Sequence, residues 1–154
     1  MNGSDTAGKY TNGRKVLLLI GAAGLGVGIW TTTLRRDPFE GAQLDAPEAL
    51  RQAAAGEITL VDIRTPKEWE GTGIGVGAIP LDMRRNDFTD QLLRLLEGDP
   101  GRPVALICAR GVRSARLAGQ LTDAGFSNII DVPEGMLGSS AGPGWIRRGL
   151  EVVR

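Results

Sequence analysis

Short apolar segments alternate with amphipathic segments from residue 45 onward, and this alternation limits the possible folds more than any other feature of the chain. The segments ITLVDI (58–63), PVALIC (103–108) and NIIDV (128–132) are aliphatic and rich in β-branched residues. Such runs are typical of strands that are buried on both faces of a parallel sheet. Because helical patterns lie between them, the sequence predicts an α/β fold with a central parallel sheet.

The predicted helices have recognisable ends. Asp45 is suited to cap a helix over residues 46–55, and Gly56 to end it. Residues 87–97 place Phe88 and Leu92 at helical spacing, and residues 113–124 form a further amphipathic segment that Gly125 closes. The remaining predicted elements are a helical turn at 66–70, a glycine-rich loop at 71–77, a strand at 78–81 and a terminal turn at 145–149.

The first 44 residues have a different character. Residues 1–15 are polar and indicate a disordered tail, whereas residues 16–34 contain no charge over nineteen positions. At about 1.5 Å per residue, a helix of that length nearly spans a hydrocarbon core of about 30 Å. We therefore expect a membrane anchor at 16–34 and a linker at 35–44, followed by one domain at 45–154 on the exported, periplasmic side. A cleaved signal that releases a secreted domain, and a buried core helix, are the alternatives.

The composition excludes several kinds of site. One cysteine and no histidine occur among the 154 residues, so no internal disulfide, Cys-His pair, Ser-His-Asp triad or histidine-ligated metal is possible. The 18 basic and 18 acidic residues balance, which gives no overall attraction to nucleic acid. We expect no cofactor and no bound metal.

Cys108 is the candidate nucleophile, because it ends the apolar run PVALIC and is followed by ARGVRSAR. Ligands collect at the carboxyl ends of parallel strands, where the amides of the next helix N-terminus point. A nest of amides around the sulfur, together with the guanidinium groups of Arg110 and Arg113, would stabilise a thiolate and hold an anion. The alternative is a small buried hydrophobe. The candidate substrate-binding residues are Ala109, Arg110, Gly111, Val112, Arg113 and Ser114.

Three segments together resemble the rhodanese family of sulfurtransferases. They are VDIRTPKEWEGTGIGVGAIPLD (61–82), ICARGVRSAR (107–116) and GFSNIIDVPEGMLG (125–138), which occur in the family's order and spacing. The resemblance implies a three-layer fold with about five parallel strands, Cys108 as the catalytic residue that carries sulfur, and Arg113 as the arginine that closes the loop. It also implies that Asp62 and Arg64 brace the loop and the sheet.

The spacing in the loop and two departures from the family pattern refine this interpretation. Four residues separate Cys108 from Arg113, whereas related phosphatases have five, and the tighter loop favours sulfur over phosphate as the reacting centre. Gly73 and Ile74 stand where many members carry Gly-His-Ile. Only Gly135 stands between Glu134 and Met136, where relatives often have two glycines.

The expected function is therefore sulfur transfer. A small anionic donor such as thiosulfate would load Cys108 as a persulfide, and the sulfur would pass to cyanide, a thiol or a protein acceptor. The alternative is a relay module that holds a persulfide for a partner protein and turns over poorly by itself. A reductase is not favoured, because the chain has no second cysteine to resolve the first.

Overall fold

A computed structural model describes residues 39–154 of the chain. Its strands and helices follow one another in the alternating order that the sequence predicts. The strands are β1 (Ala42–Gln43), β2 (Thr59–Asp62), β3 (Ile74–Gly75), β4 (Ala78–Pro80), β5 (Val104–Ile107), β6 (Ile129–Asp131) and β7 (Val152–Val153). The helices are α1 (Ala46–Ala54), α2 (Pro66–Thr72), α3 (Phe88–Leu95), α4 (Val112–Asp123) and α5 (Gly144–Arg147).

Five strands form one sheet in the order β1-β6-β5-β2-β4, and every neighbouring pair is parallel. The central strand is β5, in which Leu106 pairs with Val61 of β2 and with Asp131 of β6. All four residues of β5 are buried, because both faces of a parallel sheet are covered. The prediction of an α/β fold with a central parallel sheet of five strands is confirmed.

Helices cover both faces of this sheet and give three layers. On one face α3 and α4 pack against the sheet, with Leu117 of α4 in the same apolar cluster as Leu106. On the other face lie α1 and α5, with Trp145 of α5 in the same cluster as Ile107. Neighbouring residues of β5 thus serve opposite faces, as the two-residue period of a strand requires. Cys108 belongs to the α4 face.

Side-chain caps fix the beginnings of α1 and α2. As predicted, Asp45 caps α1, and its carboxylate accepts a hydrogen bond from the amide of Glu48 at 2.9 Å. A capping box begins α2, where the Thr65 hydroxyl accepts from the amide of Glu68 and the Glu68 carboxylate accepts from the amide of Thr65. The helix continues to Thr72, which is two residues beyond the predicted turn.

The linker predicted over residues 35–44 is wrong in part, because Ala42 and Gln43 form the edge strand β1. Ala42 pairs with Ile130, Gln43 pairs with Asp131, and the Leu44 amide donates to the carbonyl of Asp131 at 3.0 Å. Both residues of β1 are exposed, so the sequence shows no hydrophobic pattern here. Main-chain hydrogen bonds alone define this edge strand. The sheet therefore begins before residue 45.

The loop predicted over residues 71–77 is also more ordered than expected. Ile74 and Gly75 form β3, which pairs antiparallel with β7 at the end of the chain. A side chain at Gly75 would overlap the ring of Trp145, so the glycine permits this close approach. A pairing between segments so distant in the sequence has no local signal.

The predicted tail at 1–15, the predicted anchor or signal at 16–34 and most of the predicted linker lie outside the described residues. Within residues 39–154, every helix is too short or too polar to cross a membrane.

Candidate active site

Cys108 directly follows β5, at the carboxyl end of the central strand. The residue is 1% exposed. Its Sγ lies 3.5 Å from the hydroxyl of Ser114, which is on the first turn of α4. The thiol is therefore buried beneath the start of a helix, and a reacting molecule would approach it through the loop between Cys108 and α4.

The main-chain amides of this loop are free to bind an anion. No hydrogen bond within residues 39–154 uses an amide of residues 109–114 as its donor. The first amide in α4 that does so belongs to Ala115, which donates to the carbonyl of Gly111 at 3.0 Å. Free amides at a helix N-terminus attract negative charge, because the helix dipole adds to their own. The six residues that follow Cys108 in the chain therefore each offer a free main-chain N–H donor.

Gly111 gives the loop its shape as the N-cap of α4. Its φ of +81° lies in the left-handed region that favours glycine. A side chain at this position would also overlap the carbonyl of Pro133. Both conditions require a residue without a Cβ atom.

The segment from Pro133 to Leu137 supports the loop from its other side. The amides of Met136 and Leu137 donate to the carbonyls of Cys108 and Ala109, each at 2.9 Å. These bonds leave the amides of the loop unused while they fix its carbonyls. The loop is therefore held in place without loss of its anion-binding groups.

Arg113 is held by Glu68 of α2 through two hydrogen bonds. Its Nη1 donates to Oε2 at 3.0 Å and its Nη2 donates to Oε1. The Arg113 guanidinium is the main reason that the pKa of Glu68 falls from 4.5 to about 2. Glu68 in turn raises the pKa of Arg113, and the nearby Cys108 adds to this rise. The guanidinium is thus oriented by one carboxylate and remains close to the sulfur.

Two residues of the loop face solvent. Arg110 is exposed and forms no ion pair with the described residues. The side chain of Val112 is also outside, and the residue is 71% exposed. The rim of the site therefore combines one free positive charge with an apolar surface.

Asp62 and Arg64 form a buried ion pair at the end of β2. Asp62 lies beside Ile107 in the sheet, and Arg64 donates to it through Nε at 2.9 Å and Nη2 at 2.7 Å. Arg64 also donates to the hydroxyl of Thr72 and to the carbonyl of Gly73. The pair thus ties the strand next to Cys108 to the end of α2, the helix that carries Glu68, and neither residue forms a hydrogen bond with the thiol.

Sequence reasoning missed two carboxylates that organise the site. Glu68 had a local signal, because Thr65 and Glu68 have the spacing of a capping box. Glu134 had none. It is 1% exposed and accepts hydrogen bonds from the amides of Ala46 and Gly144 and from Nε of Arg148, so it anchors the supporting segment to α1 and α5.

Beside the loop lies an open groove of about 900 Å³ between α4, β1 and the segment after β6. Arg110, Gly111 and Val112 contribute to its wall, and Asp131 also lines it. Residues 39–154 contain no cluster of three or more acidic, cysteine or histidine side chains that could hold a metal ion.

Known proteins with related sequences include a sulfurtransferase. The sulfurtransferase of Allochromatium vinosum is 30% identical over 103 residues, which cover 67% of this chain and 85% of that protein. An uncharacterised protein of Rickettsia conorii is 30% identical over 97 residues, which cover 59% of this chain and 79% of that protein.

Solved structures show the same fold. The polysulfide-sulfur transferase homodimer of Wolinella succinogenes has 25% identity and a TM-score of 0.53, with 73% of this chain and 77% of that chain covered. The thiosulfate sulfurtransferase of Pseudomonas aeruginosa has 23% identity and a TM-score of 0.57, with 73% of this chain and 20% of that chain covered. At that identity the second likeness concerns the fold alone.

The family model described as the Rhodanese-like domain matches residues 45–141. This range contains β2, β4, β5 and β6 of the parallel sheet, the loop after Cys108 and the segment that supports it. The chain therefore belongs to the rhodanese-like domain family.

Proposed function

We propose that this protein is a sulfurtransferase that takes sulfur from thiosulfate or from a persulfide and carries it as a persulfide on Cys108. The observation that supports this most directly is the loop itself. The six residues that follow the only thiol of the chain have main-chain amides that are unused within residues 39–154, and one of these residues, Arg113, has a guanidinium oriented by Glu68. Sulfane sulfur compounds are anions that such a loop would bind.

The loading step needs no cofactor. The Cys108 thiolate attacks the outer sulfur of thiosulfate, a new S–S bond forms, and the S–S bond of thiosulfate breaks. Sulfite leaves with the electron pair of that bond. The loop amides and Arg113 would bind the sulfonate oxygens of thiosulfate and the charge of the departing sulfite.

The second step discharges the persulfide. Cyanide, a thiolate or a protein acceptor attacks the outer sulfur, and Cys108 leaves again as a thiolate. The loop amides that held the donor then stabilise the thiolate that is released. The same groups therefore serve both halves of the cycle.

Intact-mass measurement tests the proposal. The full chain, treated with thiosulfate and then freed of excess donor, should gain the mass of one sulfur atom, and cyanide should remove it with formation of thiocyanate. A Cys108→Ser variant should gain nothing. A wild-type chain that stays unmodified with thiosulfate and with small persulfides would refute the proposed function.

A relay to a protein partner is the second candidate, and the rim of the site favours it. Val112 is 71% exposed beside the loop, whereas Cys108 is 1% exposed. In this proposal the exposed Val112 side chain would contact a protein acceptor that approaches the loop. Loading with thiosulfate that is not followed by multiple turnovers to cyanide or small thiols would identify the relay.

The membrane position is a further part of the proposal. Residues 16–34 would anchor the chain, with the domain on the exported side, or would act as a signal that is cleaved. The uncharged stretch of nineteen residues supports this. An anchored domain would receive its donor and acceptor at the membrane surface.

A further inference from the structure

The hydroxyl of Ser114 is in contact with the sulfur of Cys108. Ser114 lies on the first turn of α4 and is completely buried, so bulk water does not compete for its hydroxyl. Its Oγ lies 3.5 Å from Sγ of Cys108 and 3.0 Å from the carbonyl oxygen of Gly111, and it is placed to donate to either. A hydroxyl has one proton to donate, so it serves one of these two acceptors at a time.

The carbonyl of Gly111 has a second hydrogen-bond donor. It also accepts from the amide of Ala115, at 3.0 Å. The carbonyl oxygen therefore keeps one hydrogen bond when the Ser114 hydroxyl turns away, and the large penalty for an unsatisfied buried acceptor does not arise. Turning the hydroxyl from Gly111 to the sulfur thus costs little.

The charge on Sγ changes during the proposed cycle. In the thiolate the negative charge is on Sγ itself. In the persulfide, Sγ is bonded to a second sulfur atom, and that outer atom carries the charge. A hydrogen bond to an ionised acceptor is roughly twice as strong as one to a neutral acceptor. We therefore expect the Ser114 hydroxyl to bind the Gly111 carbonyl when Cys108 is loaded and Sγ when Cys108 is a thiolate.

We propose that Ser114 is a second catalytic residue, whose hydroxyl turns from the Gly111 carbonyl to Sγ of Cys108 as the persulfide is discharged. This inference rests on the proposed function, in which Cys108 carries the sulfur. The acceptor forms a bond to the outer sulfur, the S–S bond to Sγ breaks, and the electron pair of that bond stays on Sγ. The proton of Ser114 remains on Oγ throughout, so the step needs no other reactant.

This role differs from that of the loop amides. The backbone fixes the direction of each N–H group, so the amides stabilise negative charge on the donor, the persulfide and the thiolate alike. The hydroxyl of Ser114 rotates, and its bond to Sγ strengthens only as charge develops there. An interaction that is stronger in the transition state than in the ground state accelerates the reaction. Ser114 should therefore speed the discharge of Cys108.

Discharge of a preloaded persulfide tests this inference. The full chain is loaded to completion with thiosulfate and freed of the donor, and the loss of the added sulfur mass is followed after cyanide is added. Ser114→Ala should discharge about tenfold more slowly, because the sulfur that becomes charged has lost one hydrogen bond. The measurement starts from the persulfide, so the rate of loading does not affect it.

Thr122→Ala is the matched control. The Thr122 hydroxyl donates to the carbonyl of Ala118 at 3.0 Å within the same helix, and its hydrogen bond does not involve the thiol. This variant should discharge at the rate of the wild type. If Ser114→Ala matches a wild type that loads and discharges, or if Thr122→Ala is slowed equally, the inference is overturned and the proposed function is not. A wild type that never loads would overturn both.

Carbon-13 NMR of the wild-type chain gives a second measurement, which holds even if Ser114→Ala does not fold. The spectra are recorded before and after loading at pH 9.5, where an ordinary cysteine is mostly a thiolate. Loading should shift the carbonyl carbon of Gly111 downfield, because that carbonyl regains the hydroxyl bond. The carbonyl carbon of Ala118, which accepts from Thr122 in both states, should not move. A Gly111 signal that stays in place or moves upfield on loading would refute the turning hydroxyl.

Discussion

Replacing Glu68 by glutamine tests how much the orientation of Arg113 contributes to the site. Glu68 accepts two hydrogen bonds from Arg113 across 45 residues of sequence and also completes the capping box of α2. Glutamine keeps the size of the side chain and one acceptor, but it removes the charge. The substitution therefore weakens the pair, while one side-chain oxygen remains that can accept from the Thr65 amide in the capping box.

The expected loss of stability follows from the pKa of Glu68. A fall from 4.5 to about 2 corresponds to roughly 3 kcal/mol in favour of the ionised carboxylate in the folded state. The side chains of Arg113 and Glu68 are 36% and 32% exposed, so water screens part of this energy. We expect Glu68→Gln to lower the free energy of unfolding at pH 7 by about 1 to 2 kcal/mol.

The effect should depend on pH in a defined direction. The pKa of Glu68 is lowered on folding, so its stabilisation is fully present above about pH 4.5 and is lost as the pH falls toward about 2. The difference in unfolding free energy between the wild type and Glu68→Gln should therefore shrink over that range. Urea unfolding of the full chain at pH 7, 4 and 2.5 would measure it.

Persulfide loading should also slow in Glu68→Gln. A guanidinium that turns freely orients the anion less well, and we expect a rate about tenfold lower. The substitution also removes the negative charge of Glu68, which repels an anionic donor. Two charges about 6 Å apart in water change a binding constant by only about threefold, so the loss of orientation should dominate the loading rate. The rate can be measured by the gain of one sulfur atom in mass after thiosulfate addition.

Glu48→Gln is the matched control. Glu48 is paired with Arg51 on α1, which also lowers its pKa to about 2, but the pair lies on the surface. The difference in unfolding free energy between the wild type and this variant should change over the same pH range, and the variant should load at the rate of the wild type. If the two variants have equal loading rates, or if Glu68→Gln loads faster than the wild type, the reasoning about Arg113 is wrong.

Three other predictions concern the brace, the loop and the membrane segment. Arg64→Ala should lower the unfolding free energy by about 3 to 5 kcal/mol, because it leaves Asp62 buried and unpaired. Arg84→Ala, which breaks the same Asp-x-Arg arrangement on the surface, should change it little in the same urea titration. Gly111→Ala should destabilise the fold and stop persulfide loading, because the new side chain would overlap Pro133. Gly119→Ala, with open space in the same helix, should instead stabilise the chain by about 0.5 to 1 kcal/mol. A topology reporter fused after Leu44 should report the exported side, and N-terminal sequencing of the mature chain would show whether residues 16–34 are removed.

The sequence alone was sufficient for the parts of this protein that local patterns encode. The run PVALIC reads as a buried strand because its residues are aliphatic on both faces. The glycine three residues after Cys108 and the helical pattern from Arg113 then predict a strand, a turn and a helix, and the structure begins that helix one residue earlier, at Val112. Asp45 identified the start of α1 because a cap acts within three residues of its own position.

Only the tertiary structure decided which distant groups meet at the thiol. Glu68 reaches Arg113 because α2 follows β2, the strand beside β5. Asp131 lines the groove beside the loop because β6 pairs with the other side of β5. β1 joined the sheet through main-chain bonds alone. The order of strands is set when helices pack against both faces of the sheet. The short-range periodicity of a sequence does not predict that order.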